Sequence, residues 1–208
     1  SVDTLEQSLE PDIIENDQQE SEPNQPDEKR NIIFIGDSYQ VGLQADTNFL
    51  NELKNEHEEE FGQIYDSSKS VHGFSREGLQ FITLIQNIED SIEDKNAITD
   101  IVVTGGYNDW ANIDGVYTEM EKFVQYSHAM YPNAKLWLAP VGWTKTTSTR
   151  KELVAQSIGA WKTSGNSLGF HVMSTIQELF HNPYLLGKDT VHPNNDGQKE
   201  LARCLYES

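Results

Sequence analysis

The stretch Asn31-Ile32-Ile33-Phe34-Ile35-Gly36-Asp37-Ser38 decides the fold. Its first five residues form a short apolar run that ends at a glycine, which reads as a strand buried on both faces. The same reading holds for residues 100–104 (DIVVT), which run into Gly105 and Gly106, and for residues 135–141 (KLWLAPV). Residues 63–71 are a weaker strand candidate and residues 170–173 a short one. Helical patterns lie between them. Residues 39–60 contain no proline, and Val41, Leu43, Phe49, Leu50, Leu53 and Phe61 give an approximate stripe. Leu79, Ile82, Leu84, Ile85 and Ile88 give one face of a helix over 77–92, and further helices are predicted over 115–130, 150–168 and 195–206. Apolar strands alternating with amphipathic helices imply an α/β fold, a parallel sheet covered on both faces.

Ligands of such sheets sit beyond the carboxyl ends of the strands. The polar residues just after each strand are therefore the candidates for chemistry. Gly36-Asp37-Ser38 follows the first strand and His72-Gly73-Phe74-Ser75 the second. Gly105-Gly106-Tyr107-Asn108-Asp109-Trp110 follows the third, and Asp189-Thr190-Val191-His192-Pro193 lies near the C-terminus. A serine, a glycine, an asparagine and a histidine thus converge on one edge, with an aspartate three residues before the histidine. A serine hydroxyl is a weak nucleophile and needs a base, and the base needs a third group to fix its tautomer. The oxyanion that then forms needs preorganised donors. The chain supplies a candidate for each role.

These segments resemble the sequence blocks of the SGNH hydrolases, the GDSL family of esterases and lipases. Gly36-Asp37-Ser38-Tyr39 resembles the first block, with Tyr39 where many members have leucine. Gly73 resembles the second-block glycine, Gly106-Tyr107-Asn108-Asp109 matches the pattern G-x-N-D, and Asp189-Thr190-Val191-His192 matches D-x-x-H. The likeness runs from about residue 31 to the end, in the family's order. It implies a three-layer α/β/α sandwich with a central five-stranded parallel sheet of flavodoxin-like type. It further implies that Ser38 is the nucleophile, at the N-terminus of the first helix, that His192 is general base and then general acid, and that Asp189 orients His192. The implied oxyanion hole comprises the N–H of Ser38, the N–H of Gly73 and the side-chain amide of Asn108.

Each residue also has a plainer reading. Ser38 could cap a helix, and Asn108 could close a turn. Asp37 and Asp109 read as structural hydrogen-bonders rather than acid–base groups. Asn195 with Gln198 resembles a capping box for the last helix. Trp110 and Trp143, at the functional edge, read equally as core or as walls of a substrate pocket. His72 adjoins the proposed oxyanion glycine and could line the pocket. His57, His128, His171 and His181 lack metal-like spacing, so no metal site and no cofactor is expected.

The chain has 208 residues and one cysteine, Cys204, which excludes an intrachain disulfide. Its formal charge is −19, and such an acidic chain is repelled by phosphate backbones and anionic membranes, so nucleic acid is not an expected partner. Residues 1–30 hold ten acids against Lys29 and Arg30, with no aromatic and no glycine. That composition reads as an acidic linker or tail, disordered on its own, because it cannot bury enough surface to offset chain entropy. Val2, Leu5, Leu9 and Ile13 recur at helical spacing, so docking as a short helix is the alternative; Pro11 and the like charge stand against it. Residues 31–208 form the hydrolase-like domain. No stretch approaches a membrane span. The chain opens on Ser1 without a methionine, so a removed upstream segment is expected, and the acidic linker-like N-terminus fits a domain cut from a larger or anchored protein. The expected setting is extracytoplasmic or secreted, in a bacterium. Two functions are expected: a serine esterase that removes a short acyl group, acetyl above all, from a carbohydrate, or an O-acetyltransferase that passes the same acyl group to a cell-wall or other glycan; the expected partner is an acylated small molecule or glycan.

Overall fold

The computed structural model describes residues 28–144 and 148–208. Nearly all of the acidic N-terminal stretch, residues 1–27, lies outside the described residues, and so does its suggested docking helix. Arg30, which the sequence assigns to that stretch, instead opens the first strand.

Five parallel strands, β1 (Arg30–Gly36), β2 (Phe61–Ser68), β3 (Asp100–Gly106), β4 (Lys135–Val141) and β5 (His171–Val172), form one sheet in the order β2-β1-β3-β4-β5. This is the flavodoxin-like order. Because successive side chains in a strand point to opposite faces, each central strand feeds two cores. Ile33 and Ile35 of β1, Ile101 and Val103 of β3, and Leu136 and Leu138 of β4 meet Phe81, Leu84, Phe123 and Trp161 on one face. Ile32, Phe34, Val102, Ala139 and Val141 meet Phe49, Leu50, Leu53, Leu201 and Leu205 on the other. The first face is covered by α3 (Phe81–Asn87), α4 (Val116–Met130) and α5 (Lys151–Ser167). The second is covered by α2 (Phe49–Glu56) and α6 (Asn195–Glu207). The molecule is thus a three-layer α/β/α sandwich.

The helix expected over 39–60 is two pieces. A single turn, α1 (Ser38–Val41), stops at Gly42, whose φ of 86° is left-handed and suits a residue without Cβ. Asn48 then caps α2, its side chain accepting from Asn51 N–H at 3.0 Å. Val41 and Leu43, counted in the expected stripe, are exposed, and Phe61 belongs to β2. The helix over 77–92 shortens to α3 followed by a turn of 3₁₀ helix.

β1 connects outward to β2, and the chain then returns across β1 to β3 on its other side. The sheet therefore has its topological switch point between β1 and β3, where a crevice opens beyond their carboxyl ends. Gly36-Asp37-Ser38 and Gly106-Tyr107-Asn108 lead out of those two strands.

Candidate active site

Asp37 builds the start of the site. It is fully buried and caps α1, its Oδ1 accepting from Tyr39 N–H at 2.9 Å. That turn presents Ser38, whose own N–H has no hydrogen-bond partner among the described residues. Ser38 Oγ lies 2.7 Å from His192 Nε2, across 154 residues of sequence. His192 Nδ1 lies 2.5 Å from Asp189 Oδ2. A carboxylate can only accept, so Nδ1 carries the proton and Nε2 is left to accept from the serine hydroxyl.

The loop that holds Asp189 and His192 is fixed by its own backbone. Asp189 Oδ1 accepts from the N–H groups of Val191 (2.9 Å) and His192 (3.0 Å). Gly187 N–H donates to His192 C=O at 2.8 Å. Thr190 sits between them at a left-handed φ of 61°, an uncommon state for a β-branched residue and a mark of local strain. Burial alone would raise the Asp189 carboxyl. The hydrogen bonds from His192 and Val191 outweigh it and hold the group below the usual carboxylate range, so it stays ionised opposite the imidazole.

Asn108 is at the same edge. Its Nδ2 donates to His72 C=O at 2.9 Å and lies 3.4 Å from Asp37 Oδ2. Gly73 differs from expectation. Its N–H donates to Leu79 C=O at 3.1 Å, and its C=O accepts from Phe81 N–H at 2.8 Å, so the residue forms a bridge leading into α3. The N–H expected to face the oxyanion is engaged there. Glycine is required at this position for a different reason: a Cβ would collide with the carboxylate of Asp109. That carboxylate is buried and accepts from the N–H groups of Phe74 (3.0 Å) and Ser75 (2.9 Å) and from Trp161 Nε1 (2.7 Å). It is a structural hydrogen-bonder, as read, and burial raises its pKa. Asp37 has the same structural role, and burial pushes its carboxyl up to about 7.

A cleft of about 250 Å³ opens on Ser38 and His192. Leu43, Val71, Tyr107 and Val191 supply most of its apolar wall, with Ser70 and Asn108 at its polar points. Neither Trp110 nor Trp143 is among its described lining. Trp110 lies under the guanidinium of Arg150, 4.3 Å from ring centroid to Cζ, and Trp143 packs on His181 at 4.7 Å. His72 contributes its carbonyl rather than its ring, which turns to Ser70 C=O at 3.0 Å. Val71, missed from sequence, lines the cleft from a left-handed backbone conformation, φ 68°; nothing in the residue type signals that turn. Tyr39, noted only as a departure from leucine, is buried beside His192, their ring centroids 5.7 Å apart. Among the described residues no group of three or more His, Cys, Asp or Glu side chains could hold a metal ion. No helix among them is long and apolar enough to cross a membrane.

No protein-family model matches the chain, and neither does any curated protein sequence. Solved structures do match. The psychrotrophic esterase EstA from Pseudoalteromonas sp. is similar at a TM-score of 0.69 and 16% identity, over 86% of this chain and 96% of that one. Axe2, an acetylxylan esterase from Geobacillus stearothermophilus, is similar at 0.64 and 14%, over 88% and 95%. A GDSL-like lipase from Parabacteroides merdae is similar at 0.63 and 13%, over 86% and 95%. At such identities the likeness is one of fold, and together with the strand order and the layers it places this chain in the SGNH, or GDSL-like, hydrolase fold.

Proposed function

We propose that the chain is a serine carboxylic ester hydrolase that removes short acyl groups, acetyl foremost, from a carbohydrate. The observation that carries this reading is the relay from Ser38 Oγ to His192 Nε2 and from His192 Nδ1 to Asp189, opening on a small cleft. Ser38 Oγ adds to the ester carbonyl carbon while its proton passes to His192 Nε2. Ionised Asp189 keeps the Nδ1 proton in place and offsets the imidazolium charge. The developing oxyanion lies against the Ser38 N–H and the second N–H of Asn108 Nδ2, which otherwise makes only the long 3.4 Å approach to Asp37. Collapse breaks the carbon–oxygen bond to the sugar, whose oxygen leaves with the proton from Nε2. Water then gives its proton to Nε2 and attacks the acyl group on Ser38, which releases the carboxylic acid and restores the serine.

The cleft supports a short acyl group. Its volume of about 250 Å³ lies below the roughly 300–1,000 Å³ of sites for drug-sized ligands. Leu43, Val71 and Val191 wall it with apolar surface. A net charge of −19 disfavours a polyanionic substrate, which points to a neutral glycan. The fold similarity to an acetylxylan esterase supports the same substrate class. The test is kcat/KM on aryl acetate, butyrate and octanoate, followed by acetate release from acetylated xylan. Acetate preferred over octanoate, with free acetate as product, is the expected outcome. A maximum at octanoate would overturn the short-acyl reading, and acetylated sugar formed in place of free acetate on adding a sugar acceptor would overturn hydrolysis.

A further inference from the structure

Tyr39 immediately follows Ser38 and is only 1% exposed. Its hydroxyl donates to Val191 C=O at 2.5 Å and accepts from Trp143 N–H at 2.8 Å. The ring stands edge-on to Phe180, with centroids 5.4 Å apart, and to His192. The backbone is tied as well: its N–H goes to Asp37 and its C=O accepts from Gln198 Nε2 at 2.8 Å. One side chain thus joins three segments: the turn that presents Ser38, the loop after β4, and the loop that presents His192.

The bond to Val191 falls at a decisive point. The peptide group between Val191 and His192 has two polar atoms. Its N–H is held by Asp189 Oδ1 and its C=O by the Tyr39 hydroxyl. This peptide lies one residue beyond Thr190, which is held at φ 61°. A left-handed β-branched residue persists only where its surroundings over-determine it. The Asp189 side chain belongs to the same loop and would move with it. Apart from the Ser38–His192 contact itself, the Tyr39 hydroxyl is a tie to this loop from outside, and it comes from the residue next to the nucleophile. Burial also raises the Tyr39 hydroxyl well above its usual pKa, so it remains a donor at neutral pH.

Resting on the ester hydrolase reading, we propose that Tyr39 is a positioning residue: its hydroxyl, through the Val191–His192 peptide, holds the imidazole of His192 at hydrogen-bond distance from Ser38. Leucine at this position could fill the volume but could not make either bond.

The test substitutes Tyr39→Phe, which removes the hydroxyl and little else. Two quantities are read well below the melting temperature: the steady-state constants on aryl acetate, and the rate at which an alkyl phosphonate with an aryloxy leaving group labels Ser38. Two further variants serve as controls. Ser38→Ala should abolish labelling. Phe180→Leu disturbs the packing of the Tyr39 ring but spares the hydroxyl, so it should lower the melting temperature and leave the labelling rate unchanged. For Tyr39→Phe the expected result is a fall of about 10- to 100-fold in kcat and in labelling rate, with KM within about twofold of wild type, as for a base displaced by a fraction of an ångström to an ångström. Labelling of Tyr39→Phe at the wild-type rate would overturn the proposal. Equal slowing in Phe180→Leu would also overturn it, because the effect would then be general loosening. Absence of labelling in the wild type would instead overturn the ester hydrolase reading itself.

Discussion

Asp37 carries an ionisable carboxyl with no exposed surface, directly before the nucleophile. Burial raises it from an ordinary 3.8 to about 7, with the neighbouring charge of Asp109 adding to the rise and the Tyr39 N–H opposing it. The sign of the stability effect follows from linkage. Between pH 3.8 and about 7 the folded chain holds a proton that the unfolded chain has released, so stability falls as pH rises through that window and levels off above it. Asp109, also raised by burial, acts in the same direction. Asp189, held low by its hydrogen bonds, acts in the opposite direction and loses its contribution only below 3.8. Asp37→Asn keeps an oxygen to accept from Tyr39 N–H but cannot ionise. Urea midpoints at pH 5 and pH 8 should therefore differ less for Asp37→Asn than for wild type, and equal differences would show that Asp37 does not titrate in this window. At this scale the sequence was informative where chemistry has a fixed order: Ser38, Asn108, Asp189 and His192 converge as read. It was uninformative where backbone conformation decides. Gly73 is glycine because of Asp109, thirty-six residues on, and Val71, which lines the cleft, has a left-handed backbone that valine does not announce.

Among the elements, α6 bears most directly on the site, since it begins three residues after His192. Its cap is Asn194, not the Asn195–Gln198 pair that the sequence suggests. Asn194 Oδ1 accepts from Gly197 N–H at 2.9 Å, and its Nδ2 donates to Tyr184 C=O (2.8 Å) and Leu186 C=O (3.0 Å). Gln198 is fully buried and points the other way, accepting from Phe49 N–H at 2.9 Å and donating to Tyr39 C=O. The capping pattern is local, whereas Gln198 is claimed by partners about 150 residues away, which no local pattern can reveal. Asn194→Ala removes one cap and two bridging donors. A cap alone is worth about 0.5–2 kcal/mol, so denaturant unfolding should show at least the upper part of that loss. A change of less than about 0.5 kcal/mol would mean that water replaces these bonds at no cost. The same limit explains the false long helix over 39–60: its apolar spacing was acceptable, but Gly42 turns left-handed and Asn48 starts a new helix. The strands β1, β3 and β4 were legible to within a residue or two, because burial on both faces leaves an apolar run that does not depend on distant partners.

Across the whole molecule the sheet has two ends with different duties. Beyond the carboxyl ends of β1 and β3 lie Ser38 and Asn108; at the amino ends lies an ion pair. Arg30, at the start of β1, grips Asp100, at the start of β3, with Nε to Oδ2 at 3.0 Å and Nη2 to Oδ1 at 2.8 Å. Asp100 is 3% exposed and also accepts from Thr99 Oγ1 (2.7 Å) and Trp137 Nε1 (2.7 Å). Burial by itself would raise its pKa, but these donors and the guanidinium charge outweigh it and keep the carboxylate ionised. The pair closes a separation of 70 residues, which is why the sequence placed Arg30 in the acidic tail. Arg30→Ala would leave a buried carboxylate with two of its four donor contacts. A hydrogen bond to a charged group contributes about 1.5–3 kcal/mol when buried, and Arg30 is half-exposed, so the expected loss is about 1–3 kcal/mol. For a chain of this size each kcal/mol lowers Tm by roughly 2–4 °C. The ester chemistry should not notice. Each of the two strands has seven residues, so the pair stands roughly 20 Å from the catalytic edge. The expected outcome is a lower Tm for Arg30→Ala with kcat and KM on aryl acetate unchanged at a temperature where both proteins are folded. A fall in kcat there would mean that the strands transmit displacement from one end to the other, and that the two ends of the sheet are not independent.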